Sequence, residues 1–329
     1  MKKTLMTICA LALSLAGGAA LAQETVKIGV INAYSGQFAD PAAQLDAGIK
    51  LYMQIHGDAV AGKKIEIIRK DVGGIAPDVA KRLAEELVVR EGVDILAGNL
   101  LTPNALAVGA VSEEAEKFMV VMNAATSIII KKSPYMARTS LTAAQLNHAF
   151  GEWVADNGVK EVYTMVTDYG PGIGSGAAFE AAFVAKGGKV VGADRTPVVN
   201  PDFSPFVQRI ADAKPEALYA WVPGGTQPPA LGKALAERGV TPANTKIYAQ
   251  GELTDDAALE AMGDVALGIV TAYHYNVHRD TPLNNEFVAA FKAANDGRDP
   301  DIYAIGAYDG MHLIYEALKK TNGDASGPA

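Results

Sequence analysis

From Val26 onward, short apolar runs of strand length alternate with longer stretches whose apolar positions recur at helical spacing. Strands are predicted at residues 26–31, 64–69, 118–122, 159–167, 189–193, 217–222, 246–249 and 267–273, with a further short one beginning at Val93. Helices are predicted at 40–56, 77–90, 143–156, 175–186, 203–213, 230–238, 284–295 and 303–319, and one starts at Pro103. Asp40-Pro41 and Pro77 supply helix starts, while Gly92 and Gly187-Gly188 supply stops. Strand–helix units of this length imply α/β architecture with parallel sheets and right-handed crossovers. The series runs twice, the second beginning after Arg138-Thr139-Ser140, so two similar doubly wound halves are expected.

The stretch 93–103 is the most informative. It reads as a buried strand, a polar turn and a helix start, with Thr102 as the expected N-cap and Pro103 in the first helical position. Free amides of a first helical turn, at the positive end of the helix dipole, suit a carboxylate. Ligands in open α/β sheets lie at the carboxyl ends of strands, and this turn is at such an end.

Composition narrows the setting. The 329 residues are about half hydrophobic (49%), enough for two cored domains. Lys2-Lys3, the apolar run from Leu5 to Leu15 and Ala20-Leu21-Ala22 form a secretory signal peptide, residues 1–22, with cleavage expected before Gln23. The only cysteine, Cys9, lies inside that run and away from the cleavage site, so a lipoprotein anchor is not expected. The mature chain then carries no disulfide, thiol nucleophile or thiolate metal site. Removing Lys2 and Lys3 from the 29 basic residues leaves 27 against 37 acidic ones, a net charge near −10. No basic run appears, which argues against nucleic-acid binding. Residues 321–329 read as a turn after an unpartnered helix, so the natural chain is expected to extend further.

Catalytic constellations are weak. His274 and His278 stand four apart in what reads as a strand exit, so neither metal ligation nor any cofactor is expected. Asp255-Asp256 fits a helix N-terminal charge cluster better than an acid/base pair. Gly170-Pro171-Gly172-Ile173-Gly174-Ser175-Gly176 follows a strand and opens a helix, as a dinucleotide fingerprint does, and Asp194 falls where a ribose-binding acid would sit. Pro171 removes a donor from that loop, which leaves an NAD-dependent enzyme as the weaker reading. The strand before it delivers Tyr169 to a carboxyl end, where an aromatic with a polar tip can cover an apolar ligand.

The export signal, the opening Val26 to Tyr34 with Ser35-Gly36, the Gly98-to-Thr102 turn, Asn123-Ala124-Ala125-Thr126, Asp168-Tyr169-Gly170 and Asp202-Phe203-Ser204-Pro205-Phe206 together resemble one family. It is the type I periplasmic solute-binding proteins of ABC importers, in the leucine/isoleucine/valine-binding branch. The resemblance implies two doubly wound lobes joined by crossing segments that act as a hinge, with the ligand in the cleft between them. The first lobe is expected to take 23–138 plus about 274–320, the second 139–273. A soluble periplasmic monomer serving an ABC permease at the inner membrane follows from the same resemblance.

Carried over residue by residue, Thr102 matches a hydroxyl residue that binds the ligand carboxylate, beside Leu101. Ala124, Ala125 and Thr126 match the loop that supplies a carbonyl for an ammonium and an amide plus hydroxyl for the carboxylate. Tyr169 matches an aromatic closing over the ligand, and Glu252 an acid that pairs with the ammonium. Tyr34 and His274 complete the expected ligand set. Leu101 and Pro103 depart from the run of small hydroxyl residues in amino-acid binders. Trp221-Val222-Pro223-Gly224-Gly225 and Tyr273-His274-Tyr275 look more like relatives that bind benzoate-like acids. The ligand class therefore stays open between branched-chain amino acid and aromatic carboxylate. A ligand-sensing module for another membrane partner is the remaining alternative.

Overall fold

The computed structural model describes residues 24–327; the expected signal segment and Cys9 lie outside the described residues. β1 (Thr25–Asn32) is the central strand, its Val26, Ile28, Val30 and Ile31 almost wholly buried. α1 (Ala39–His56), β2 (Ala59–Val60) and β3 (Lys63–Asp71) follow. α2 (Pro77–Glu86) runs on into a π-turn over Leu87–Glu91, closed by Gly92 in the left-handed region. β4 (Ile95–Gly98), α3 (Thr102–Glu114), β5 (Phe118–Val121) and β6 (Met136–Arg138) complete the first sheet. Its order is β2-β3-β1-β4-β5-β6, parallel except for the β2–β3 pair. Apolar residues on both faces of these strands need cover, and the helices give it in packed pairs, α1 with a late helix and α2 with α3.

The second sheet comes from α4 (Ala143–Asp156), β7 (Glu161–Thr167), α5 (Gly170–Ala185), β8 (Lys189–Thr196), α6 (Ser204–Ala213), β9 (Ala217–Trp221), α7 (Gln227–Glu237), β10 (Lys246–Gln250), α8 (Asp256–Met262) and β11 (Val270–Ala272). Its order, β11-β10-β9-β7-β8, is parallel throughout. α4 and α5 pack so closely that a Cβ on Gly151 would overlap the Phe179 carbonyl. The chain then returns to the first lobe, where α9 (Pro282–Ala294) and α10 (Ile302–Lys320) pack on α1. The chain thus crosses between lobes after Arg138 and again after Ala272. The first crossing is pinned by Thr139 Oγ1 donating to the Gly306 carbonyl (2.8 Å) and Ser140 Oγ to the Asn123 carbonyl (2.9 Å).

Several element bounds differ from expectation. α5 starts at Gly170 rather than residue 175, and α7 at Gln227 rather than 230. In both, prolines occupy the first turn, where a missing N–H costs no intrahelical bond. The short edge strands β2 and β6 have too few residues to show a period.

In each sheet the chain moves first to one side of its opening strand and then to the other. The loops leaving β1 and β4 therefore diverge, as do those leaving β7 and β9, and each divergence leaves a crevice at the strands' carboxyl ends. Loops from both switch points line one cavity between the lobes.

Candidate functional site

The two lobes leave a cavity of about 30 Å³ between them, far below the roughly 300–1,000 Å³ typical of ligand pockets, so the cleft is shut tightly in this state. The first lobe contributes Phe38, Leu100, Leu101, Asn123 and, from α10, Tyr303. The second contributes Tyr169, Trp221, Pro223, Gly224 and Glu252. The lobes are closed on each other: Gln37 Nε2 reaches the Val198 carbonyl (3.4 Å), α3 touches α5, and a Cβ on Gly225 would overlap the Gln37 carbonyl.

The first-lobe face is built by the turn after β4. Gly98 (φ +93°) and Asn99 (φ +64°) reverse the chain, and the Leu100 amide donates to Asn32 Oδ1 (3.0 Å). Thr102 is the first residue of α3, not its cap; extended Leu101 holds the cap position and no side chain caps the helix. Thr102 Oγ1 instead lies 2.9 Å from Thr126 Oγ1, joining two strand-end loops. Behind them, Arg138 on β6 donates to the carbonyls of Thr126 (2.9 Å) and Ala124 (3.4 Å) and to the Thr142 hydroxyl. Burial depresses its pKa, and among the described residues no carboxylate pairs with it. The residues that line this face are Phe38, Leu100, Leu101, Asn123 and Tyr303, and the loops that carry it are held by one cation without an acidic partner among the described residues.

The second-lobe face is aromatic and acidic. Tyr169 sits at the cap position of α5, its ring centroid 5.6 Å from that of Trp221. Glu252 follows β10 and is 6% exposed. Gln250 Nε2 donates to its Oε2 (2.7 Å) and Tyr273 Oη to its Oε1 (3.0 Å). Gln250 is itself held by Asn147 Nδ2 (2.5 Å), and Asn147 accepts from Tyr219 Oη (2.6 Å). Burial raises the Glu252 pKa to about 7, against the opposing pull of these donors, with nearby Asp255 adding like charge.

Of the expected site residues, Leu101, Tyr169 and Glu252 line the cavity. Thr102 and Thr126 are bonded to each other and neither lines the cavity. The Ala124 amide is tied to the Asn99 carbonyl (3.1 Å) and the Ala125 carbonyl accepts from the Ala143 amide (2.9 Å), so that loop is fixed by its backbone. Tyr34 and His274 do not line the cavity. The Tyr34 amide is tied to Asp71 (2.8 Å) and its ring packs on the first-lobe core; His274 lies against Tyr273, ring centroids 4.7 Å apart, its pKa lowered to about 4 by burial. Sequence reasoning missed Phe38, Tyr303 and the Arg138 clamp, and singled out Asn123 and Trp221 only within family-like segments, not as site residues. Asn123 and Trp221 do stand at strand ends, and the strand-end rule applied uniformly points to both.

The glycine-rich run is a helical turn rather than a phosphate cradle. A Cβ on Gly172 would overlap the Thr167 carbonyl, and one on Gly176 would lie 3.0 Å from Val166, so these glycines let α5 sit tightly on β7. Asp194 is engaged by the Arg209 guanidinium (2.8 Å) and Tyr163 Oη (2.7 Å). Asp255 caps α8 through the Ala258 amide (2.8 Å). Among the described residues no cluster of three His, Cys, Asp or Glu side chains is placed to hold a metal, and no helix is long and apolar enough to cross a membrane.

Residues 25–329 match the family model described as periplasmic binding protein. The Leu/Ile/Val-binding protein homolog 6 of Brucella melitensis is 43% identical over 324 residues, 98% of this chain and 83% of the relative. A solute-binding protein of an ABC transporter from Rhodopseudomonas palustris BisB5, solved with 3,4-dihydroxybenzoic acid, is 46% identical with a TM-score of 0.88, over 92% of this chain and 82% of that one. A second, from R. palustris HaA2, solved with p-hydroxybenzoic acid, is 37% identical at the same TM-score, over 92% and 83%. A leucine-binding protein from Thermotoga maritima, 20% identical with a TM-score of 0.82 over 91% and 84%, shares the fold. The two facing switch points, the closed cleft and these matches agree: the chain belongs to the periplasmic binding protein family.

Proposed function

We propose that this protein is the exported, periplasmic receptor of an ABC importer, capturing a small aromatic carboxylate and presenting it to a permease in the inner membrane. The observation that carries the ligand class is Arg138. Its guanidinium engages the Ala124 and Thr126 carbonyls and has no acidic partner among the described residues, so the loop offers donors and positive charge. That suits a carboxylate and opposes an ammonium at the Ala124 carbonyl. The α3 N-terminus and the Thr102–Thr126 pair add donors on the same side. Tyr169, Trp221 and Tyr303 give the cavity aromatic walls, surfaces of the kind a flat ring packs against once the cleft opens to admit it. Two similar proteins were solved with hydroxybenzoates, which supports the same reading.

In this mechanism residues 23–138 with about 274–320 move as one body against 139–273, as a monomer. Ligand contacts made by both lobes favour the closed state, and the ligand shifts the equilibrium only by its preference for that state. A branched-chain amino acid is the second reading, favoured by Glu252, a buried acid with no cation among the described residues. A thermal-shift panel on the mature protein separates them, because a bound ligand raises the melting temperature by mass action. Benzoate and hydroxybenzoates should raise it, and leucine, isoleucine and valine should not. Stabilisation by the amino acids alone overturns the aromatic assignment; stabilisation by neither class overturns the carboxylate receptor.

A further inference from the structure

Two polar atoms of the cavity-lining residues are buried without a partner, one on each lobe. Trp221 is 3% exposed and its Nε1 donates to nothing. The indole's Cε3 lies toward α5, where a Cβ on Gly172 would be 3.0 Å away, and Nε1 is on the opposite edge of the ring. Across the cavity, Asn123 Nδ2 donates to the Leu100 carbonyl (2.9 Å), which fixes the amide's orientation and leaves Oδ1 as an acceptor without a donor. Orphaned buried polar atoms are uncommon and costly, and both residues line the cavity, Trp221 at the edge of the second-lobe core.

Resting on the aromatic-carboxylate reading above, we propose that Trp221 and Asn123 form a subsite that reads a ring hydroxyl, making the ligand a hydroxylated aromatic acid. A carboxylate offers acceptors only and an ammonium donors only, whereas one hydroxyl oxygen both accepts and donates. A neutral acceptor suits Trp221, because Glu252 shares that wall and burial there already disfavours negative charge. A phenolic oxygen accepts from the indole N–H, and its proton is available to Asn123 Oδ1. An unsubstituted ring leaves both atoms orphaned. Sites built to hydrogen-bond a hydroxyl discriminate strongly against analogues lacking it.

Calorimetric titration with benzoate, 3-hydroxybenzoate and 4-hydroxybenzoate tests this on wild type, Trp221→Phe and Asn123→Ala. Wild type should bind the better hydroxybenzoate at least ~10-fold more tightly than benzoate. Trp221→Phe keeps an aromatic wall and removes the N–H, and should bring that ratio close to one; Asn123→Ala should lower it as well. Equal wild-type affinities, or a ratio unchanged in both variants, overturn the subsite while leaving the aromatic-acid receptor standing. Wild type binding none of the three acids overturns the receptor reading itself and the subsite with it.

Discussion

The two faces of the cleft are made from different materials. The first-lobe face is lined by Phe38, Leu100, Leu101, Asn123 and Tyr303, and its strand-end loops are tied by the Thr102–Thr126 hydroxyl pair, by Arg138 and by the first crossing segment. The second-lobe face pairs the Tyr169 and Trp221 rings with an acid held within a buried chain of side chains, Tyr219–Asn147–Gln250–Glu252–Tyr273. Charge recognition needs only a local turn and one buried cation. Recognition of the rest of the ligand needs side chains brought together from α4, β9, β10 and the second crossing.

That contrast can be broken at several points. The largest effect is expected at Arg138. Arg138→Met should weaken binding of the aromatic acid by about 100-fold and cost about 2–4 kcal/mol of stability, since buried acceptors lose a charged donor. Arg138→Lys keeps the charge but not the fork and should recover only part of the affinity. Titration calorimetry and denaturant melts measure both. Retained affinity in the methionine variant would remove the cation from the account.

Gly224→Ala should come next. A Cβ there would overlap the Tyr303 hydroxyl, which belongs to the other lobe and meets Gly224 only when the cleft is shut. The expected result is about 10-fold weaker binding through a less accessible closed state, with little change in the melting temperature of the unliganded protein. A large fall in that temperature would mean the contact supports the fold rather than closure.

Thr102→Val removes one of the two paired hydroxyls while keeping the shape. It should weaken the carboxylate ligand by about 5- to 10-fold, the value of a single ordinary hydrogen bond.

The smallest effect separates the faces by pH. Glu252 has its folded pKa raised to about 7 by burial, from an ordinary 4.5. Between those values the unfolded chain has lost the proton that the folded chain retains, so stability falls as pH rises from 4.5 to 7. Gln250, Tyr273 and Asp255 all act on this group, and Asp255, also raised to about 7, contributes in the same direction. In Glu252→Gln the Glu252 share of that fall disappears. The melting temperature of wild type minus that of the variant should therefore decline from pH 4.5 to 7.5, and a flat difference would show that Glu252 does not titrate in this range.

The fold was legible because its signals are local. Apolar runs, proline starts and glycine stops locate most of the strands and helices, and the turn after β4 shows its anion-ready helix in eleven consecutive residues. The proline-led starts of α5 and α7 came late because a glycine-rich turn and a Pro-Pro pair read as loop in isolation. The site was half legible. Leu101, Tyr169 and Glu252 follow their strands directly, so the strand-end rule reaches them. Arg138 acts from β6, a three-residue edge strand with no period to notice. Tyr303 comes from α10, more than 130 residues after Tyr169, and only tertiary packing brings it to the cavity. Tyr34 and His274 follow strands too, but neither lines the cavity.

The central claim is that the charged wall selects a carboxylate without an accompanying ammonium. Side-by-side calorimetry of the mature protein with 4-hydroxybenzoate and with leucine tests it most directly. The account predicts that 4-hydroxybenzoate binds at least ~100-fold more tightly, the combined consequence of a cation-backed wall, aromatic sides and a hydroxyl-reading pair. Leucine binding as tightly as 4-hydroxybenzoate, or more tightly, would contradict it.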